Sequence, residues 1–299
     1  MNFAQLISPV LSISEKQVAA TIALLDEKAT IPFIARYRKE KTGSLNEVQI
    51  GAIQTEYTRL QDLAGRKQTI LNTIEEQGKL TPELQQRIDA CWNATELEDI
   101  YLPYKPHRKT RADIAIERGL EPLAKQLMAQ KNGDVHSLAK PYINKEVLSD
   151  DDALQGARDI IAQWISENER ARNAVRREFG YTAILTTKAV KTKSDSPEAQ
   201  NYKDYFAVSE PLKRISSHRL LAIRRAEKEG FIRVDISPDH KKCLDKLANL
   251  FLHSRNDAAY QVELALEDSY KRLLKPSIES EYAALSKAKA DTEAIRVFA

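Results

Sequence analysis

Apolar positions recur every three or four residues along most of the chain, which is the spacing of amphipathic helices. The clearest run lies between Asn46 and Gln77, is interrupted only at Lys67, and ends at Gly78. This spacing predicts one helix of about 30 residues, about 45 Å long. The apolar positions of this run are Ile50, Ile53, Tyr57, Leu60, Ala64, Leu71 and Ile74.

A second long pattern runs from Asn256 to Leu285 and contains Pro276 near its middle. Proline inside a helix removes one backbone hydrogen bond and clashes with the preceding turn. Because the helical spacing resumes on both sides, the pattern predicts a kink at Pro276 and not the end of the helix.

Residues that cap helix N-termini stand in front of several helical patterns. Ser14 precedes one, and Thr81 precedes another that begins with Pro82. Ser149 is followed by three aspartates at 150–152, whose charge favours a helix N-terminus. These positions predict three helix starts.

Strand signals are few. Ile232, Val234 and Ile236 alternate with polar residues after Gly230, which predicts one short strand. The stretch 181–206 is ambiguous, and its residues 194–197 are the most loop-like part of the chain. The sequence therefore predicts an all-α fold, mostly helical, with two long helices and at most a minor β element.

Length and composition add limits to this picture. With 299 residues the chain reaches the size at which a single core stops growing, so two or more packed units are expected. No apolar run approaches the roughly 20 residues that span a bilayer. The N-terminus lacks the basic region of a signal peptide, and Cys91 and Cys243 stand far apart without metal-binding spacing. We expect a cytoplasmic protein that does not bind membranes.

Motifs for catalysis or cofactor binding are not evident. The five histidines are scattered, and no two glycines lie closer than eight residues, which excludes glycine-rich phosphate loops. The acids Glu96, Glu98 and Asp99 are explained by the first turn of a helix after Thr95, as are those at 150–152. The sequence predicts no enzymatic activity, no metal and no cofactor.

Basic residues are concentrated locally, because the net charge is only +3. The segment 34–43 places Arg36, Arg38, Lys39 and Lys41 beside Tyr37. Cations next to an aromatic ring are suited to phosphate contact and base stacking. A solvated surface or ion pairs within the fold would explain the same residues.

The segment 101–111 reads YLPYKPHRKTR and contains no acid. Pro103 and Pro106 keep it out of a helix, so its cations are expected on an ordered loop. The same two alternatives apply. Its candidate nucleic-acid-binding residues are Tyr104, Lys105, Arg108, Lys109 and Arg111.

A third segment, 216–225, predicts a capped amphipathic helix that leads through Gly230 into the strand. His218 and Arg219 are its candidate nucleic-acid contacts. The alternative is a helix packed through its leucines with the cations in water.

These segments also carry a resemblance. Residues 31–40 read IPFIARYRKE and are followed by Thr42-Gly43 and by LNEVQ at 45–49. This stretch and several later ones resemble the Tex family of bacterial transcription accessory proteins over nearly the whole chain. The later stretches are LEDIYLPYKP at 97–106 with Arg108, Thr110 and Arg111, GLEPLA at 119–124, GARDIIA at 156–162, DYF at 204–206 and SHRLLA at 217–222.

The resemblance implies an N-terminal helical region with a helix-turn-helix-like unit at 1–118 and a central helical region at 119–299. It further implies a fragment that ends before an RNase-H-like domain, in agreement with the uncapped helical pattern at 292–299. Family members bind nucleic acid and associate with transcription. Two family glycines are replaced, where this chain has Gly43-Ser44 and Arg225-Ala226.

Two hypotheses follow. The first is a non-catalytic scaffold of a Tex-like RNA-binding accessory protein that contributes auxiliary contacts to RNA or DNA. The second is a protein-interaction scaffold that docks on the transcription machinery without touching nucleic acid. Arg36 and Arg38 in bidentate carboxylate pairs would favour the second. The sequence leaves the oligomeric state open.

Overall fold

The computed structural model describes residues 2–193 and 196–298, and the chain forms two compact units, Met1–Lys105 and Pro106–Ala299. Both units are mainly helical, and one three-stranded sheet lies in the second. The all-α prediction with a minor β element is confirmed. None of the helices in the described ranges is both long and apolar enough to cross a membrane.

Two apolar clusters form the core of the first unit, and its longest helix contributes to both. Ile50, Ile53 and Leu60 of this helix lie in one cluster, and Ile70 and Ile74 lie in the other. The helices are α1 (Phe3–Leu11), α2 (Glu15–Asp26), α3 (Ile31–Tyr37), α4 (Lys39–Thr42), α5 (Glu47–Glu76), α6 (Pro82–Ala90) and α7 (Ala94–Tyr101), with a 3₁₀ turn at Leu102–Tyr104.

Helix α5 is the 30-residue helix that the spacing predicts, opened by a capping box between Asn46 and Gln49. Lys67, the one polar interruption of its apolar stripe, is buried. Its ammonium donates to the Asp89 carbonyl at 2.7 Å and lies 3.5 Å from the centroid of the Trp92 ring. Burial lowers the pKa of Lys67. The interruption is therefore accommodated inside the core.

The predicted helix starts are confirmed at Ser14, Thr81 and Ser149, whose side chains accept hydrogen bonds from backbone N–H groups of the first turn. The prediction that Thr95 precedes α7 is wrong. Asn93 caps this helix, because its side chain accepts from the Glu96 backbone N–H at 3.0 Å.

The turn after α4 has a left-handed backbone at two successive residues, since Gly43 and Ser44 both have φ of 64°. Glycine adopts this conformation freely, whereas a residue with a Cβ is strained there. The replaced family glycine thus falls where the backbone favours glycine. At the other replacement, Ala226 is buried inside a helix and needs no glycine.

We expect Ser44→Gly to raise the free energy of unfolding of the first unit by about 0.5–1 kcal/mol, because relief of left-handed strain outweighs the added freedom of the unfolded chain. Ser44→Ala keeps the Cβ and serves as the matched control without a gain. The measurement is urea unfolding followed by Trp92 fluorescence in a Trp164→Phe background. If Ser44→Gly were no more stable than the parent, the left-handed backbone at Ser44 would not be strained.

In the second unit, helix α11 (Asp150–Glu167) is central, and its Ile160, Ile161 and Ile165 are fully buried. The helix at Arg111–Glu117 packs on α11. The remaining helices are α8 (Arg111–Glu117), α9 (Glu121–Met128), α10 (Val135–Ala139), α12 (Glu169–Thr182), α13 (Ser217–Lys228), α14 (His240–Phe251), α15 (Asp257–Ser269) and α16 (Lys275–Phe298), with 3₁₀ turns at Lys140–Tyr142, Glu198–Tyr205 and Leu212–Arg214.

The sheet has the order β2-β1-β3 with antiparallel pairs. Strand β3 (Ile232–Ser237) confirms the predicted strand. Strands β1 (Ile184–Ala189) and β2 (Ser209–Pro211) were not predicted, and β1 lies in the ambiguous stretch. Of the loop expected at 194–197, residues 194 and 195 lie outside the described residues.

The second long pattern continues through Pro276, as predicted, but its irregularity lies earlier. A π-helical turn at Tyr270–Leu274 joins α15 to α16. This wider turn lies just before Pro276, whose missing backbone N–H would interrupt the hydrogen bonding of an α-helix. Tyr270 and Ile278 are buried beside this turn, whereas Leu285 is 61% exposed.

Candidate nucleic-acid interface

The basic segment of the first unit folds into two short helices held by their apolar face. Ile34 and Ala35 of α3 are buried, and α3 packs on α5. Because α3 turns every 3.6 residues, Phe33 and Tyr37 face away from this contact one turn apart. Phe33 is 40% exposed and Tyr37 is 63% exposed.

Helix α4 is fixed to α2 by a single amide side chain. Gln17 Nε2 donates to the carbonyl oxygens of Thr42 and Gly43, each at 3.2 Å. The Thr42 hydroxyl donates to the Arg38 carbonyl at 3.2 Å. A Cβ on Gly43 would lie 2.8 Å from Gln17 Nε2, so the backbone approaches this amide closely. These contacts hold the cations of α4 in place at the surface.

Two aromatic rings lie exposed on α3 with a cation above one of them. The ring centroids of Phe33 and Tyr37 are 5.4 Å apart. The Arg38 guanidinium carbon is 5.0 Å from the Phe33 centroid, and Arg38 Nη1 donates to the Tyr37 carbonyl at 2.9 Å. We call Phe33, Arg36, Tyr37, Arg38, Lys39 and Lys41 the α3–α4 surface.

The cations of the α3–α4 surface are available to a ligand. Arg36 lies 3.8 Å from Glu47, and its side chain is 70% exposed, so this ion pair is weak. Lys39 and Lys41 are exposed and make no salt bridge with any residue the structure describes. Neither Arg36 nor Arg38 forms a bidentate carboxylate pair among the described side chains.

The aromatic residues were missed as site residues from the sequence. In the sequence, Tyr37 stands among the cations of the segment 34–43, and Phe33 lies just before that segment. Their spacing of four residues on a short helix, opposite the apolar Ile34 and Ala35, is a signal that could have identified them.

The segment 101–111 crosses the boundary between the two units, after Lys105. In the first unit Tyr104 is half-buried against an apolar cluster, and its carbonyl accepts from Gln77 Nε2 at 2.7 Å. Lys105 is exposed. Tyr104 therefore offers less ring surface to a ligand than Tyr37 does.

In the second unit, Arg108 is exposed and without a salt bridge to a described residue, whereas Lys109 pairs with Glu117. Arg111 begins α8 and lies near Asp159. Burial raises the pKa of Asp159, and nearby arginines, including Arg111, oppose this shift. The expected loop is confined to residues 105–110, because Tyr101 ends α7, Leu102–Tyr104 form a 3₁₀ turn, and Thr110 caps α8.

The third segment forms α13, as predicted, but its two candidates differ in surroundings. His218 is exposed, and its Nε2 lies 3.4 Å from the Ser216 hydroxyl. Arg219 forms a 2.8 Å ion pair with Glu210 at β2. Arg219 is therefore held in an ion pair, whereas the sequence offers only a nucleic-acid contact or a cation in water for this residue.

Glu98 and Asp99, which the sequence suggests as part of an acidic cluster, have different surroundings in the structure. Glu98 accepts a bidentate pair from Arg66 at 2.6 and 3.0 Å, and Asp99 is buried. A histidine and two aspartates come together only in the folded chain. His136 Nδ1 lies 2.9 Å from Asp150 Oδ2, and Asp151 lies beside them. Its hydrogen bond with His136 lowers the pKa of Asp150. His136 and Asp150 form an exposed hydrogen-bonded pair at a helix start.

Comparison with known protein families decides the identity of the chain. Residues 1–75 match the Tex-like protein N-terminal domain, and residues 130–298 match the Tex central region. The chain belongs to the Tex family. The two Tex regions thus include both the α3–α4 surface and most of the second unit.

Relatives of this Tex-family chain are longer proteins. It is 37% identical over 305 residues to the transcriptional accessory protein Tex of Neisseria gonorrhoeae. This alignment covers 100% of the chain and 40% of that protein. It is 38% identical over 299 residues to protein tex of Bordetella pertussis, covering 95% of the chain and 38% of that protein. It is 27% identical over 312 residues to the human S1 RNA-binding domain-containing protein 1, covering 99% of the chain and 31% of that protein.

Proposed function

We propose that this chain is a non-catalytic helical scaffold of a cytoplasmic Tex-family transcription accessory protein, and that its α3–α4 surface contacts nucleic acid. One observation carries the proposal. Two exposed aromatic rings, Phe33 and Tyr37, lie among four cations that are not held in strong ion pairs. Aromatic faces stack on bases, and the cations neutralise phosphates.

The exposed aromatic faces favour single-stranded nucleic acid, whose bases are free to stack on side chains. The names of two relatives support the proposal, because one is a transcriptional accessory protein and the other an S1 RNA-binding domain protein. Lys105 and Arg108 are the second proposed contacts, since both are exposed and without a salt bridge in the described ranges.

The alternative function is a protein-interaction scaffold that docks on the transcription machinery without binding nucleic acid. Arginines held in bidentate carboxylate pairs would favour it. Arg36 and Arg38 are not in such pairs within the described residues, and this favours the nucleic-acid proposal.

A salt series of nucleic-acid binding tests the proposal. We expect the chain to bind a fluorescein-labelled single-stranded RNA, and log K to fall with log salt with a slope of about −4 if the six proposed cations meet phosphates. The measurement is fluorescence anisotropy from about 50 to 200 mM salt. Duplex DNA of equal length is expected to bind more weakly. Absence of RNA binding at low salt, together with retention of a transcription protein, would establish the alternative.

A further inference from the structure

A groove of about 880 Å³ opens between α13 and the part of α16 from Tyr282 to Ala294, away from the residues assigned to nucleic acid except His218. Apolar side chains line most of it, among them Ile215, Leu220 and Leu221 of the α13 side. Leu285 of α16 borders it and is 61% exposed. A large aliphatic side chain left in water beside an apolar groove marks a surface that gains from being covered.

The border of this groove is basic. Three exposed cations line it, and none of them makes a salt bridge with a described residue. They are Lys213, Arg225 and Lys289. Glu293 is the one acid among the described lining residues, and it accepts a hydrogen bond from the Ser217 hydroxyl. The groove therefore combines an apolar floor with an excess of positive charge, three cations against one acid among the described lining residues.

We infer that this groove binds an amphipathic helical segment of a partner protein whose apolar residues enter the groove and whose acidic residues meet Lys213, Arg225 and Lys289. Two helices form its long walls, and such a groove is the usual receptor for a third helix with apolar residues at positions i, i+3 or i+4, and i+7. Charge complementarity sets the acidic character of the partner.

The aromatic residues of the groove argue against nucleic acid as the occupant. Phe179 is buried and stacks with Tyr282 at a centroid distance of 5.3 Å. The Tyr282 hydroxyl donates to the Arg176 carbonyl at 2.7 Å. Phe179 is buried and Tyr282 is half-buried, so the groove offers less exposed aromatic surface for base stacking than the α3–α4 surface does. A symmetric contact between two copies would place like charges opposite each other.

The test begins with a phage-displayed library of random 16-residue peptides selected against the whole chain. We expect the enriched peptides to contain Asp and Glu together with apolar residues at helical spacing. A fluorescein-labelled enriched peptide is then measured by anisotropy. Leu285→Glu, at an exposed position, and the pair Lys213→Glu with Lys289→Glu should each weaken its binding at least tenfold.

Leu148→Glu is the matched control, because Leu148 is 79% exposed and does not line the groove. It should leave peptide affinity within twofold of the parent. Failure to enrich peptides, enrichment of basic peptides, or equal binding by Leu285→Glu would overturn the inference. Loss of RNA binding in Leu285→Glu would assign the groove to nucleic acid, and loss of self-association would assign it to a second copy. Both results would also overturn it.

Discussion

Replacing Arg36, Arg38, Lys39 and Lys41 together by Gln is expected to weaken binding of single-stranded RNA on the order of 100-fold at low salt, because four phosphate contacts and their counterion release are lost. The slope of log K against log salt should become shallower by about 3. These side chains are exposed or half-exposed and hold no core contact, so the fold should remain intact. Anisotropy titrations across the salt series measure both quantities.

A matched control removes the same charge from the second unit. Lys131, Lys140, Lys145 and Lys241 are exposed and make no salt bridge with described residues, so their joint replacement by Gln tests net charge alone. It should change affinity less than about fivefold. Equal losses in both quadruple variants would show that RNA senses overall charge and not the α3–α4 surface.

Substitutions of Tyr37 test base stacking separately from the charge of the α3–α4 surface. Tyr37→Ala should weaken RNA binding by roughly 5- to 100-fold without changing the salt slope, as one stacked base is lost. Tyr37→Phe keeps the ring and should bind as the parent does. If Tyr37→Ala bound RNA as tightly as the parent, Tyr37 would not stack on a base.

Glu281→Gln is expected to lower the free energy of unfolding of the second unit by about 3 kcal/mol, the largest stability effect we predict. The carboxylate of Glu281 on α16 accepts from Arg172 at 2.7 Å and from Arg176 at 2.6 and 3.0 Å. The two arginine side chains are only 7% and 14% exposed. Removing the carboxylate leaves two largely buried positive charges of α12 without this partner.

Urea unfolding followed by Trp164 fluorescence in a Trp92→Phe background reports on the second unit. Asp291→Asn on the same helix is the control, because its partner Lys287 is exposed, and it should cost under about 0.5 kcal/mol. If Glu281→Gln were as stable as this control, the Arg172–Glu281–Arg176 contact would not hold α16 on α12.

Local elements of the fold were predictable from the sequence because their determinants lie within a few residues. The 30 residues of α5 follow from one helical spacing that is interrupted only at Lys67, and its start at Asn46 follows from capping chemistry. Strand β3 follows from alternation after Gly230. Strand β1 was missed because IleLeuThrThrLysAla at 184–189 lacks a clean alternation, and its pairing with β3 is made across more than 40 residues.

The candidate site was predictable only in part. Helical spacing places Arg36 and Tyr37 in one segment, but it does not say whether a cation meets water or an acid. Arg219 stands in an equally basic segment and pairs with Glu210, whereas Lys39 has no such partner among the described residues. The difference depends on which acid the fold brings near.

The helical class, the helix starts at Ser14, Thr81 and Ser149, and the family of the chain can be recognised from the amino-acid sequence without a structure. The burial of Lys67 over Trp92, the contact of Glu281 with two arginines of α12, and the place of Leu285 beside an open basic groove become visible only in the folded chain. The physical reason is range: propensity and capping act within one turn, whereas burial and ion pairing join residues far apart in the chain.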